Sequence, residues 1–475
     1  MSNTKRLFFP VFLALTFSAA SSAQTCSSSS VVRMQTTLGG IDIILTPTVT
    51  PITVANFLSY VCSGAYASGN FLNGDSYTST IIHRSLNANS SSNAGQTTPF
   101  YLIQGGGFAV DSKQANLPRQ IPNNGPISNE FKISNTPGTL AMAQLSGNIN
   151  SATTQWFINI SDNSGSLDSQ SFTVFGNVAN DAGMSVVSAI GALPTFAVST
   201  EDSGTLTDWP LVNYTSGISK PANYVYVTSI APIAPVTSAA SFQSAATFAS
   251  LSTTGISPGE IITLYGTELG PTQLTTLQLD STGTLVTNLL EGTQVLFNGI
   301  PGPMIFTTSG QISTIVPYGI AGQSTVSVVV SYLGIQTSSN SFKVVPANPG
   351  LFTLNSSGKG DASIIQLDGT VVSSSNPASP GDVLELYGEG YGAISPAFPD
   401  GTVVTSTPMI PVTLLIDGKT VPTSYTGPAY GDVNGVLQIN FTVPQQMAPG
   451  SHQIQIQVGS AVSPTGVTLA TQATH

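Results

Sequence analysis

The sequence predicts a mainly β chain: a closed antiparallel barrel with two helices, followed by two β-sandwich domains. Three observations lead there. Up to residue 231, helical periodicity occurs in only two places, among short β-rich runs separated by Gly, Asn and Ser. Beyond residue 240 it disappears. There the chain repeats itself with a period of roughly 120 residues, which is the size of a domain and too long for a solenoid unit.

At 475 residues the chain exceeds one ordinary domain. Hydrophobic residues make up 40% and charged residues 7%, so it has enough apolar material for cores and must be surfaced largely by Ser, Thr, Asn and Gln. A formal net charge of -11 with no basic run argues against binding nucleic acid through its phosphates. His83, His452 and His475 are scattered and no Cys/His cluster exists, so the sequence offers no metal site.

Residues 1–23 read as an export signal. Lys5 and Arg6 precede the apolar stretch Leu7 to Ala20, and Ser21-Ser22-Ala23 supplies small residues for cleavage before Gln24. The stretch is short for a membrane span, and no later segment offers about 18 continuous apolar residues. The expected product is exported and not membrane-spanning, in the periplasm or outside the cell. The only cysteines are Cys26 and Cys62. An oxidising compartment permits a bridge between them, and two unrelated thiols are the alternative.

The first domain is expected over 31–231. Val32 to Leu45 reads as two strands meeting at Gly39-Gly40. Thr50, as N-cap, and Pro51, at the first helical position, open a helix carrying Val54, Phe57, Leu58 and Val61 on one stripe. Gly64 ends it. A second helix is expected from Met184 to Leu193, with Val186, Val187 and Ile190 on one face. Barrel closure would remove exposed sheet edges. Residues 232–240 read as a linker, and 241–346 and 347–470 as sandwiches one and two. Ser257-Pro258-Gly259-Glu260 with Leu264-Tyr265-Gly266 recurs as Ser379-Pro380-Gly381-Asp382 with Leu386-Tyr387-Gly388. Phe297-Asn298-Gly299 recurs as Ile416-Asp417-Gly418.

Five ordered segments carry chemistry: Ile82-His83-Arg84, Tyr101-Leu102-Ile103-Gln104-Gly105-Gly106-Gly107, Gly138 to Gln144, Thr154 to Ile158, and Phe172 to Gly176. Together they resemble a cyclophilin-type peptidyl-prolyl cis-trans isomerase. The resemblance implies a cyclophilin-like barrel and an enzyme that needs no cofactor and acts on proline-containing polypeptides. It implies that Arg84 is the catalytic arginine and that Gln104 helps hold it and the substrate backbone. Tyr101, Leu102, Phe157 and Leu167 would form the proline pocket, with Phe172 beside them. Ala143 and Gln144 would pair with the substrate backbone. The chain departs from the family pattern in an inserted polar loop, Asn87 to Pro99. It departs again in having Ser166 where sensitive members carry the tryptophan that contacts cyclosporin, so weak cyclosporin binding is expected.

The tail from about 236 to 470 resembles a paired immunoglobulin-like module of exported, acidobacterial-type proteins, marked by Pro349 to Phe352 and Asn376-Pro377-Ala378. That likeness implies fold and exported context, and no chemistry. Gly255-Ile256-Ser257-Pro258-Gly259 fits a nucleophile pattern, but Pro258 lacks the N–H that an oxyanion hole needs. An alternative reading is a non-catalytic proline-segment binder or adhesive surface protein. In a further alternative, Tyr265, Tyr387 and Tyr391 of the tail stack on a glycan.

Overall fold

The structure is a computed structural model describing residues 26, 29–88, 90–96, 99–111, 117–233, 239, 241–395 and 397–473. The expected export signal and most of the expected linker lie outside the described residues. The chain divides into two compact units. The first takes in the described residues to 233 together with 271–273, and the second the remaining residues from 239 on.

In chain order the first unit contains β1 (Val31–Thr36), β2 (Gly39–Leu45), α1 (Pro51–Cys62), β3 (Gly69–Asn70), β4 (Ser76–Ile81), β5 (Arg84–Leu86), β6 (Leu102–Gly105) and β7 (Phe108–Asp111). There follow β8 (Pro118–Gln120), β9 (Thr139–Met142), β10 (Trp156–Asn159), α2 (Ser164–Leu167), β11 (Val174–Val178), α3 (Asp181–Gly191), β12 (Thr195–Thr200), β13 (Gly204–Pro210) and β14 (Tyr226–Pro232). One sheet runs β5-β6-β10-β9-β11-β2-β1-β14-β4-β7-β8, with β3 on β4, and β12 pairs separately with β13.

The sheet is a curled half-barrel. The strand order ends in β5 and β8, but β5 continues the run begun by β4, which pairs with β14 farther along the same order. The run 76–86 bends it round: Ile81 pairs with Tyr226 of β14, whereas Arg84 pairs with Gln104 of β6. Between them Ile82 N–H donates to Val225 O and His83 N–H to Gln104 O, so the chain changes partner without losing its backbone hydrogen bonds.

Both expected helices form, with corrected ends. α1 buries Val54, Phe57, Leu58 and Val61. Thr50 stands at the N-cap, but its hydroxyl bonds with Thr46. The cap comes from Glu130, whose carboxylate accepts from Ile52 N (3.2 Å), Thr53 N (2.8 Å) and Thr53 Oγ1 (2.8 Å). A carboxylate there satisfies orphan donors and complements the helix dipole. At the other end Gly64, at φ +75°, donates to Val61 O. α3 begins at Asp181, three residues before the expected start, because Asn180 accepts from Gly183 N at 2.9 Å. The β1–β2 hairpin turns at Thr37-Leu38, before Gly39-Gly40, because Gly39 already pairs with Thr36. β14 runs to Pro232, past the expected domain end. Cys26 and Cys62 are joined by a disulfide, tying the segment before β1 to the end of α1. The apolar stripes of α1 and α3 and the inner faces of the strands share one core around Phe57, Trp156 and Phe175.

The second unit shows the sequence repeat as repeated strand order. Ile261–Tyr265 lies beside Gln311–Ile315, which lies beside Met304–Thr307; Val383–Glu389, Leu437–Thr442 and Thr423–Pro428 follow the same order. In a second sheet of the first copy, Ile300–Pro301, Thr293–Phe297, Thr325–Tyr332 and Ile335–Gln336 are neighbours. Their counterparts are Lys419–Val421, Val412–Ile416, Gly450–Val458 and Ala461–Val462. Each pair of sheets shares one apolar cluster, around Phe297 in the first copy and Phe441 in the second. Asn298-Gly299 and Asp417-Gly418 all have positive φ, the two-residue hairpin turn that these dipeptides favour. Ser257 is fully buried against Glu260. Tyr391 is buried with its hydroxyl on Asn434 O, so it is not an open platform for a sugar.

Candidate active site

Strand register gathers the expected site on one face. Arg84 pairs with Gln104, Gln104 with Phe157, and Phe157 with Ala141 across β5, β6, β10 and β9. Paired residues point to the same side of a sheet, so these four side chains form a row. Their immediate neighbours Ile103, Trp156, Ile158, Leu140 and Met142 point the other way, into the main core. The row therefore lies on the face turned away from that core.

Beside this row is a second, smaller apolar cluster. Leu86, Leu102, Ala141, Phe157, Leu167 and Val174 are its buried members, with Phe100, Ile133, Ala143 and Phe172 packed against it. Phe157 is 3% exposed, and its ring meets that of Phe172 edge-on at 5.6 Å. The structure thus brings Leu102, Phe157, Leu167, Ala143 and Phe172 together next to Arg84 and Gln104. Tyr101 is half-buried and held through its backbone: its N–H donates to Asn163 Oδ1, and its carbonyl accepts from Asn163 Nδ2 and Ile160 N. Of this aromatic pair, Phe100 is the member packed on the cluster. Gln144 stands farther along, donating to Gln170 O at 2.6 Å and lining a shallow recess with Asn129, Ile149 and Thr173.

Gln155 was not singled out from the sequence, yet it joins the polar side of the site. Its Oε1 accepts from Gln104 Nε2 at 2.8 Å and lies 3.2 Å from His83 Nε2. Burial drives the His83 pKa down to about 4, so the ring is neutral at neutral pH and supports Gln155 as a donor. The Gly-rich run leaves room for this pair. Gly106 sits at φ +77°, and a Cβ on Gly107 would come 2.6 Å from the Gln155 side chain.

Arg84 is half-buried. Burial lowers its pKa and the Asp208 charge raises it. An arginine remains a cation through the neutral range despite such a shift. Its Nη2 donates to Ser92 Oγ at 3.5 Å, and Ser92 belongs to the inserted loop. The site therefore places a cation and an amide pair in one strand row, beside a small apolar cluster. Among the described residues no group of three or more His, Cys, Asp or Glu is placed to hold a metal.

Residues 31–214 match the family described as cyclophilin type peptidyl-prolyl cis-trans isomerase/CLD. A peptidyl-prolyl cis-trans isomerase of Acinetobacter baylyi is 38% identical over 173 residues, covering 35% of this chain and 75% of that protein. Peptidyl-prolyl cis-trans isomerase A of Dickeya dadantii is 34% identical over 198 residues, 40% of this chain and 87% of its own. Peptidyl-prolyl cis-trans isomerase cyp18 of Streptomyces antibioticus is 33% identical over 174 residues, 35% of this chain and 86% of its own.

Proposed function

This chain belongs to the cyclophilin-type peptidyl-prolyl cis-trans isomerase family and is an enzyme of that kind, and we propose that Arg84 supplies its catalytic hydrogen bond. An X-Pro amide turns slowly because resonance stiffens its C–N bond, with a barrier of about 18–20 kcal/mol. As the amide twists, the prolyl nitrogen regains a lone pair. A donor that meets this lone pair stabilises the twisted form over both planar ones. Arg84 is such a donor. The prolyl ring sits in the hollow of Leu102, Phe157 and Leu167, with Phe172 at its wall and Tyr101 at its rim. Gln104, Ala143 and Gln144 hold the substrate backbone while the proline side turns. The observation that carries this reading is the row Arg84, Gln104, Phe157, Ala141 beside the smaller apolar cluster.

The expected substrates are proline-containing segments of exported polypeptides, met in the periplasm or outside the cell. The Cys26–Cys62 bridge supports an oxidising location, as does the sequence of residues 1–23. The second unit is read as two immunoglobulin-like sandwiches that position the enzyme, a reading supported by its repeated strand order. No observation favours the alternative of a non-catalytic binder.

The test compares the purified chain with Arg84→Ala in a proline-peptide isomerisation assay. The wild type is expected to accelerate exchange, and the variant to lose about 10²–10³ of that acceleration. Equal rates would remove Arg84 from the mechanism. Export is tested by fractionating cells that express the chain, and retention with the cytoplasmic proteins would overturn it.

A further inference from the structure

The inserted loop and the β12–β13 hairpin meet behind Arg84. Asp208 lies near the end of β13 and is 2% exposed. Its Oδ1 accepts from Ser91 N (2.6 Å) and Ser91 Oγ (2.9 Å). Its Oδ2 accepts from Ser92 N (3.3 Å), from Thr207 Oγ1 (3.1 Å) and from Ser92 Oγ. Ser92 Oγ also lies 3.5 Å from Arg84 Nη2. The polarity admits one arrangement. A carboxylate only accepts, so the Ser92 hydroxyl spends its single proton on Asp208 and its lone pair faces the guanidinium.

Two features show that this carboxylate is held in place. Asp208 has φ +67°, a left-handed conformation uncommon outside glycine, and it persists where the surroundings impose it. The next residue supplies the anchor: Trp209 is fully buried, with its ring 5.6 Å from Phe108 and 5.9 Å from His83. Asn87 and Asn93 of the loop are held as well. Asn93 Nδ2 donates to Asn87 O and Phe100 O, and Asn87 Nδ2 to Gly191 O and Leu193 O.

We propose that Asp208, acting through Ser92, is a positioning residue that sets the direction of the Arg84 guanidinium. This rests on the reading of Arg84 as the catalytic donor. Ser92 of the inserted loop is then part of the catalytic apparatus, because its hydroxyl links a held carboxylate to a long side chain with many rotamers. Freezing that side chain before substrate arrives removes an ordering cost from the barrier. Burial of Asp208 raises its pKa, but its hydrogen bonds to Ser92, Ser91 and Thr207 outweigh this and keep it ionised.

The experiment measures kcat and KM separately, by exchange NMR on a proline peptide, for the full chain and for Ser92→Ala, Ser92→Thr and Asp208→Asn. Ser92→Ala and Asp208→Asn are expected to lower kcat about tenfold with KM within twofold, and Ser92→Thr, which keeps the hydroxyl, to retain the rate. The same changes are made on Arg84→Ala, where they are expected to have no further effect. A merely structural role would lower that residual rate too. Wild-type kcat in both Ser92→Ala and Asp208→Asn, or an equal additional loss on Arg84→Ala, overturns the proposal. If Arg84→Ala is itself fully active, the reading of Arg84 fails first. Should Asp208→Asn fold poorly, the Ser92 pair alone decides.

Discussion

Replacing Arg84 by lysine separates two things that the native side chain does at once: it carries charge, and it presents a rigid fork of donors. In the structure the side chain is half-buried, burial pulls its pKa down, and one fork nitrogen reaches Ser92 Oγ at 3.5 Å. In Arg84→Lys the ammonium would be drawn to the same Ser92–Asp208 pair, with no second arm left to meet the prolyl nitrogen. Loss of one preorganised donor costs about 2.7–4 kcal/mol, or 10²–10³ in rate. Because a cation remains nearby, the lower end, about 10²-fold, is expected. KM should hold, since Leu102, Phe157 and Leu167 are untouched. A second signature follows from acid–base chemistry. Arginine stays protonated across the working range, but a lysine starts from a pKa of about 10.4, which burial lowers and the Asp208 charge raises. The residual activity of Arg84→Lys should therefore fall as pH rises through the alkaline range, whereas the wild type stays level. The assay is exchange NMR on a proline peptide between about pH 6 and 11, so that it spans the lysine transition. Activity of Arg84→Lys within about threefold of wild type, flat with pH, would refute the need for a fixed fork.

Three further outcomes are expected. Phe157→Ala should destabilise the first unit by about 3–5 kcal/mol in chemical denaturation and raise KM, because the ring is buried against Phe172 in the small apolar cluster; an unchanged KM would remove Phe157 from the pocket. The disulfide spans a sequence separation of 36, so a Cys26→Ser, Cys62→Ser double variant should lose about 4 kcal/mol of first-unit stability on the loop-entropy scale, and an unmoved urea midpoint would contradict this. In the second unit, burial raises the Glu260 pKa and pushes Glu389 up to about 7, so the folded state holds protons that the unfolded chain releases above about pH 4.5. Stability is then fully present below about pH 4.5 and lost as pH rises through about 7, by on the order of 3 kcal/mol, a slope that should flatten in Glu389→Gln when thermal melting is followed calorimetrically.

That several candidate residues share one face was legible because the signals for it are local. Leu102 and Gln104 stand two apart along β6, as do Ala141 and Ala143 at the end of β9, so spacing alone already places each pair on a common face. The stripes of α1 and α3 were legible for the same reason, at helical spacing. What was missed depends on distant partners. Glu130 caps α1 from far along the chain, and no pattern near Thr50 announces it. Gln155 lies inside a recognised segment, but its importance arises only when His83 and Gln104 converge on its oxygen. Asp208 stands in Gly-Thr-Leu-Thr-Asp-Trp-Pro, an ordinary-looking strand whose left-handed residue leaves no trace in composition. Alternation fixes faces and says nothing about which strands meet, so the change of partner at Ile82-His83, which carries the chain from β14 to β6, leaves no signal in the sequence.

The repeat in the second unit shows how two copies of one pattern come to form a single body. In the first copy Glu260 folds back to accept from Ser257 N at 2.8 Å, and in the second Asp382 accepts from Ser379 N at the same distance. The extra methylene in the first copy has a consequence. Glu260 keeps its other oxygen for Asn348 Nδ2 (2.8 Å), at the start of the second copy, and is fully buried there, whereas Asp382 is only half-buried. The second copy reciprocates at the end of its matching strand. Glu389 accepts from Ser244 Oγ, Ala246 N and Ile261 N of the first copy, each at 2.8 Å. Each copy thus sends one carboxyl group into the other, and each finds donors there that it would otherwise leave unsatisfied. Separating the copies would strand buried donors at about 1–3 kcal/mol each. It would also expose the apolar patch of Ile261, Ile315, Val433 and Val436 that the copies share. Two domains related by repetition are therefore expected to unfold in one transition, and the residues that enforce this are the ones at which the repeat departs from itself.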